Sequence, residues 1–154
     1  MAAGDIKWFA QGIHDIGNKL IDMDTDTIKF GLVTTATVPT VATTGPCWGA
    51  GGSTNFSSSQ VGTGGGYTGP ITLASLTWTK DATGAVFDAA DPSVIAQNGS
   101  GATNIAYLIL YSDTATNKNC IGFMELSTAG TISLVAGSLT ITFNASGILR
   151  YTQS

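Results

Sequence analysis

Charge is what this sequence has least of. Only 10% of its 154 residues are Asp, Glu, Lys or Arg, against about a quarter in an ordinary soluble domain. Six basic residues, scattered singly in a chain of net charge -4, make no phosphate-binding surface, so nucleic acid is not an expected partner. There are two cysteines, Cys47 and Cys120. They lack C-x-x-C spacing, which excludes zinc-knuckle and redox motifs and leaves two free thiols as the expectation. The single histidine, His14, rules out a two-histidine metal site. No G-x-S-x-G supplies a nucleophile for it to serve, and on an exposed helix face it reads as a surface residue. No segment approaches eighteen consecutive apolar residues, and Asp5 and Lys7 interrupt the stretch where a secretory signal would run. The expectation is a chain made in the cytoplasm, with no signal peptide and no membrane partner.

What the chain has instead is 20 glycines and 23 threonines, a composition that favours strands and turns. From Asp5 to Leu20, Phe9, Ile13, Ile16 and Leu20 recur at spacings of four, three and four, with Trp8 beside the stripe. That spacing predicts an amphipathic helix. Gly12 and Gly17 each cost about 1 kcal/mol in a helix interior, so the helix must dock, either on its own domain or as an arm (1–21) on a neighbour. After DMDTDT the period becomes two, and residues 27–35 read as a strand. Residues 36–70 hold Pro39, Pro46, Pro70 and nine of the 20 glycines, a long loop region of the kind that is functional or contacts a partner. Beyond it ITLASLTWT, GAVFDA, NIAYLILYS, CIGFMELS, TISLV, SLTITFN and ILRYT follow in close succession, separated by turn signals. Only NIAYLILY is apolar on both faces, which makes it the central buried strand. The reading is one all-β domain over 1–154 with a short N-terminal helix: an antiparallel β-sandwich, jelly-roll-like, of about eight strands.

Four constellations invite a chemical reading. Gly64, Gly66 and Gly69 in GGGYTG satisfy G-x-G-x-x-G, but that fingerprint cradles a pyrophosphate only where a strand enters and a helix leaves the glycines. Here Pro70 and a period-two segment follow, which predicts a loop entering a strand. In DMDTDT, Asp22, Asp24 and Asp26 match the first, third and fifth positions of an EF-hand loop, yet Thr27 stands where glycine is needed and Val33 where a bidentate Glu is needed. A solvated helix-to-strand turn is the better reading. Asp81, Asp88, Asp91 and Asp113 sit at strand ends and turns rather than paired across a cleft, as glycoside hydrolysis requires. Trp48, Phe56, Tyr67 and Trp78 suit either core burial or a sugar-stacking platform. No nucleophile, base and orienting group can be named together, so neither an enzyme, a cofactor nor a small-molecule substrate is expected.

The order of WFAQGIHDIGNKLIDMDTDTIKFGLVTTATVPT, GGGYTGPITLASLTW, NIAYLILYSD, IGFMEL and LTITFNASGIL resembles a family of small tailed-bacteriophage virion proteins. In that family a short N-terminal helix precedes an IDxDTDTIK turn and strand, followed by GTGYT-GG-x-L and a terminal FTITWNADGI hairpin. The glycine-rich segment 45–66 departs from the pattern. The resemblance implies a virion component on the capsid surface, a decoration or cement protein whose partners are the major capsid protein and copies of itself. Large apolar groups on the arm and the loop, Trp8, Phe9, Ile13, Trp48 and Phe56, are the candidate partner contacts, and residues 45–66 are expected to become ordered only against a partner. The alternative is a tail- or fibre-associated module that recognises host glycan through Trp48, Tyr67 and Trp78.

Overall fold

The computed structural model describes residues 5–152; residues 1–4 of the expected arm and 153–154 lie outside the described residues. The chain is mostly β with one short α-helix. In order it forms β1 (Lys7–Trp8), α1 (Ala10–Gly17), β2 (Ile28–Val33), β3 (Pro46–Cys47), β4 (Thr54–Asn55), a 3-10 turn (Phe56–Ser59), β5 (Ile71–Thr72), β6 (Thr77–Lys80), β7 (Gly84–Asp88), β8 (Tyr107–Ser112), β9 (Cys120–Glu125) and β10 (Leu149–Thr152). A five-stranded sheet runs β1-β9-β8-β2-β5 and a three-stranded sheet β10-β7-β6. Every pairing in both sheets is antiparallel. Neither sheet closes on itself, and β3 and β4 add a small parallel pair.

The segment NIAYLILY becomes β8, third in the five-stranded order, as its double apolar face requires. Leu108 and Leu110 turn to one side, where they meet Phe30, Leu32, Tyr67, Phe87, Ile105, Leu134 and Leu149 in the larger core. Phe87 and Leu149 come from the three-stranded sheet, so both sheets contribute side chains to this core. Ile109 and Tyr111 turn to the other side, into a second core with Phe9, Val33, Trp48, Phe56, Cys120 and Phe123. Among the described residues, the three-stranded sheet contributes none to this second core. Its cover is the 36–70 segment: Trp48 stacks on Tyr111 with ring centroids 5.1 Å apart and planes 6° from parallel, and Phe56 meets Phe9 at 5.7 Å. Gly31 on β2 makes room for the indole, because a Cβ there would lie 2.0 Å from Trp48 Cη2.

Three expectations are corrected. The helix is not 5–20 but Ala10–Gly17, since Lys7 and Trp8 pair with Phe123 and Gly122 of β9 instead. Phe9 then leaves the strand, and the Val41 carbonyl accepts from the Ala10 N–H (2.9 Å) in place of a side-chain cap. The docked face is also different. Gly12 and Asp15 are the buried positions of α1, while Ile13 and Leu20 are 38% and 54% exposed. Gly12 lets the helix backbone approach β9, where any Cβ would come within 2.6 Å of the Ile121 carbonyl oxygen. Asp15 accepts from Asn119 Nδ2 (2.6 Å) and Gln11 Nε2 (2.7 Å). Finally, TISLV and SLTITFN are not strands. Leu134 is buried and Leu139 and Ile141 are buried in alternation, but in place of a continuous ladder these segments make the isolated bridges Ile105–Ile132 and Ile95–Leu139 and single bonds such as that of the Leu134 N–H to the Ala102 carbonyl (2.8 Å). Period-two burial fixes where side chains go without requiring a ladder beside them.

Trp48 and Gly31 are expected to be energetically coupled. Gly31→Ala should destabilise by about 1–3 kcal/mol through overpacking and Trp48→Ala by about 3–5 kcal/mol through cavity formation. In the Trp48→Ala background the added methyl has room, so the double variant should be more stable than the sum predicts by about 1 kcal/mol or more in urea unfolding. Additive losses would show that the two residues do not share this contact.

Candidate functional site

The residues expected at a partner surface divide into two groups. Phe9, Trp48 and Phe56 are interior, at 0%, 6% and 0% exposure, because the second face of β8 needs large apolar cover and these side chains supply it. That removes them as free anchors and gives segment 45–66 its own packing. Tyr67 is fully buried as well, so Trp48, Tyr67 and Trp78 form no exposed stacking platform. Trp8 and Ile13 remain at the surface, Trp8 half-buried with its indole N–H donated to the Arg150 carbonyl (3.0 Å).

The surface at Trp8 is built around the outer edge of β1, which no strand among the described residues pairs with. Lys7 lies opposite Phe123, and the Phe9 N–H donates to the Ile121 carbonyl at 3.0 Å. In an antiparallel ladder alternate residues face the partner, so Lys7 and Phe9 turn their backbone groups toward β9 while Ile6 and Trp8 turn theirs outward. Two grooves flank this edge. The larger, about 700 Å3, has Ile6, Trp8, Met124, Phe143 and Ile148 among its apolar walls and Arg150 and Asn144 at its rim. The second, about 380 Å3, runs past Val38, Val41, Tyr107, Phe123 and Glu125. Asp5, Lys7 and Val41 border both. Val38 and Val41 are 57% and 51% exposed. Sequence periodicity did not single out this edge, since a strand of two residues is too short to show alternation; the one legible signal was the order Asp-Ile-Lys-Trp.

The remaining motifs resolve into local architecture. GGGYTG is a tight turn in which Gly64 and Tyr67 bridge one another. Gly65 sits at φ +61°, and a Cβ on Gly66 would lie 2.1 Å from the Ala96 carbonyl oxygen. The turn lowers Tyr67 into the core, where its hydroxyl oxygen accepts from the Leu32 N–H at 3.0 Å, and β5 rather than a helix follows. In DMDTDT, Asp22 Oδ1 accepts from the N–H groups of Asp24 (2.9 Å) and Thr25 (3.2 Å). Those bonds hold its carboxyl below the usual range, the Asp24 N–H contributing most. Asp26 Oδ2 accepts from the Ser112 hydroxyl at 2.6 Å, tying the turn to β8. Asp81 caps the β6–β7 turn through the N–H groups of Thr83 and Gly84 and pairs with Arg150. Asp91 accepts from the Phe143 N–H (2.7 Å), and Asp113 holds Lys118 (2.8 Å) and Lys29 (2.7 Å). Cys47 and Cys120 are free and buried, and burial pushes the Cys120 thiol up.

No protein-family model, curated protein or solved structure matches the chain. No helix among the described residues is long and apolar enough to cross a membrane.

Burial gives Tyr67 a pH signature. Desolvation pushes its phenol from 10.0 up to about 12, and burial raises Tyr111 as well. A group whose folded value is raised contributes stability in full below its unfolded value and loses it as pH climbs through the folded one. Resistance to urea should therefore fall as pH rises from about 10 toward about 12. The tyrosinate absorbance of the native protein should lag that of the unfolded chain over the same interval. Coincident titration curves would place Tyr67 in water.

Proposed function

We propose that this chain is a tailed-bacteriophage virion structural protein, a capsid decoration protein. It would bind across neighbouring major capsid protein subunits and so raise the work of separating them. The five- and three-stranded sheets, read as the two layers of a jelly-roll-like sandwich, form the rigid body that presents its contacts. The observation that carries the reading is the edge of β1, where outward-facing backbone groups, two grooves and the exposed Val38 and Val41 come together. A surface of that kind suits adhesion to protein better than chemistry, because the carboxylates at Asp22, Asp26, Asp81, Asp91 and Asp113 are engaged in turns and ion pairs. The ordered resemblance of the motifs to small phage virion proteins supplies the biological setting.

Binding by decoration needs no single strong site. A contact of standard size buries about 1,600 Å2 in total, and repetition over a symmetric lattice multiplies modest affinity into firm attachment. The glycan-binding alternative loses the aromatic platform that motivated it, since Trp48 and Tyr67 are spent inside the fold.

Cryo-electron microscopy of the parent particle tests the proposal. Density for this chain is expected on the outer face of the head, with the β1 edge turned toward a capsid subunit or another copy. Density confined to the tail, or the absence of the chain from purified virions, would sink the decoration reading.

A further inference from the structure

We propose that the free edge of β1 pairs with the same edge of a second copy of this chain. The two edges run antiparallel about a two-fold axis at Ile6 and join the five-stranded sheets into one continuous sheet. This goes beyond the virion reading and stands on the chain's own geometry. Ile6 and Trp8 are the residues whose backbone groups face away from β9. Placing the axis at Ile6 lets that residue exchange both N–H···O=C bonds with Ile6 of the second copy. An axis at Lys7 would set Lys7 of each copy directly opposite Lys7 of the other in the non-hydrogen-bonded position, like charge against like. An axis at Trp8 would drive the second strand into the turn where Ala10 bonds to Val41 and the helix begins.

Charge then favours a copy of the same chain over an unrelated strand. With the axis at Ile6, Asp5 of each copy stands opposite Lys7 of the other, in the non-hydrogen-bonded position where side chains come closest. The order negative, apolar, positive is complementary to itself when reversed, which is the requirement of an isologous interface. Asp5 and Lys7 are both exposed and belong to none of the ion pairs among the described residues. On the same edge, Val38 and Val41 stand exposed at the groove rim and would be covered. The competing role for Lys7 is that of a guard which keeps a short edge strand unpaired. That role requires a monomer at every concentration.

Sedimentation velocity of the full chain over a concentration series separates the two. A dimer is expected, and Asp5→Lys or Lys7→Asp alone should weaken it by about tenfold or more, because each places like charges opposite one another twice across the axis. The double variant D5K/K7D should restore dimerisation, as should an equimolar mixture of the two singly substituted chains. Thermal unfolding followed by circular dichroism checks that these surface changes leave the fold intact. Register is read separately with Ile6→Cys: directly opposed hydrogen-bonded residues lie about 5.5 Å apart at Cα, within the span of a disulfide, and Cys47 and Cys120 are buried away from the reaction. Oxidation should yield a covalent dimer. A native chain that stays monomeric, a dimer indifferent to the charge reversals, a mixture that fails to reassociate, or a dimer that does not cross-link through position 6 would each overturn the proposal.

Discussion

The structure depends on a strand that must be covered twice. β8 carries Leu108 and Leu110 on one face and Ile109 and Tyr111 on the other, all within 2% of complete burial. The three-stranded sheet contributes side chains to the core on one face only. The other face is roofed by irregular chain, with the indole of Trp48 lying flat on Tyr111 and the rings of Phe9 and Phe123 4.9 Å apart beside it. Burying an aromatic side chain removes some 150–250 Å2 from water, so a few such groups can do for this face what a second sheet does for the other. The geometry that permits it is a missing side chain, at Gly31, directly beneath the indole.

Much of this was legible in the sequence and some was not, for physical reasons. The double apolar face of NIAYLILY could belong only to a central strand, and the alternation from Ile28 gave β2. The glycine-rich 45–66 stretch suggested looseness because glycine carries a large conformational entropy cost. Yet Gly52 and Gly66 stand where a Cβ would collide with the carbonyl oxygens of Gly45 and Ala96. Close packing and flexibility leave the same mark in composition, and only the tertiary fold tells them apart. The helix misled in a related way. Its Phe9–Ile13–Ile16–Leu20 stripe had the right period, but docking runs through Gly12, which allows backbone contact, and through Asp15, whose partner Asn119 is far away in sequence. A polar buried face held by a long-range hydrogen bond has no hydrophobic periodicity to detect.

The candidate surface was harder to read than the core, because an edge is defined by what does not pair. Trp8 was singled out for its size and placed on a helix; it is in fact part of a two-residue strand. The order Asp-Ile-Lys-Trp is too short to announce that strand by alternation, since its existence depends on β9 lying beside it and on Gly122, where a Cβ would come 2.7 Å from the Lys7 carbonyl oxygen. The extended but largely unladdered stretch around Ile141 reads as a strand by alternation, yet it serves as a wall of the groove that β1 borders.

Scarcity of charge gives the arrangement its meaning. In a chain this poor in ionic groups, most acids that could mark a surface are turned inward on their own backbone: Asp22, Asp81, Asp88 and Asp91 accept from nearby or facing N–H groups, and Asp26 from a hydroxyl. Lys29 and Lys118 are bound to Asp113. Asp5, Lys7 and Glu125 stand instead around one groove at the edge of β1. An exposed ion pair adds only a fraction of a kcal/mol, so these charges cannot hold an interface together; apolar cover and strand hydrogen bonds must do that. What a few charges on a nearly uncharged surface can do is fix which strand approaches and in which direction, because little else nearby competes with them.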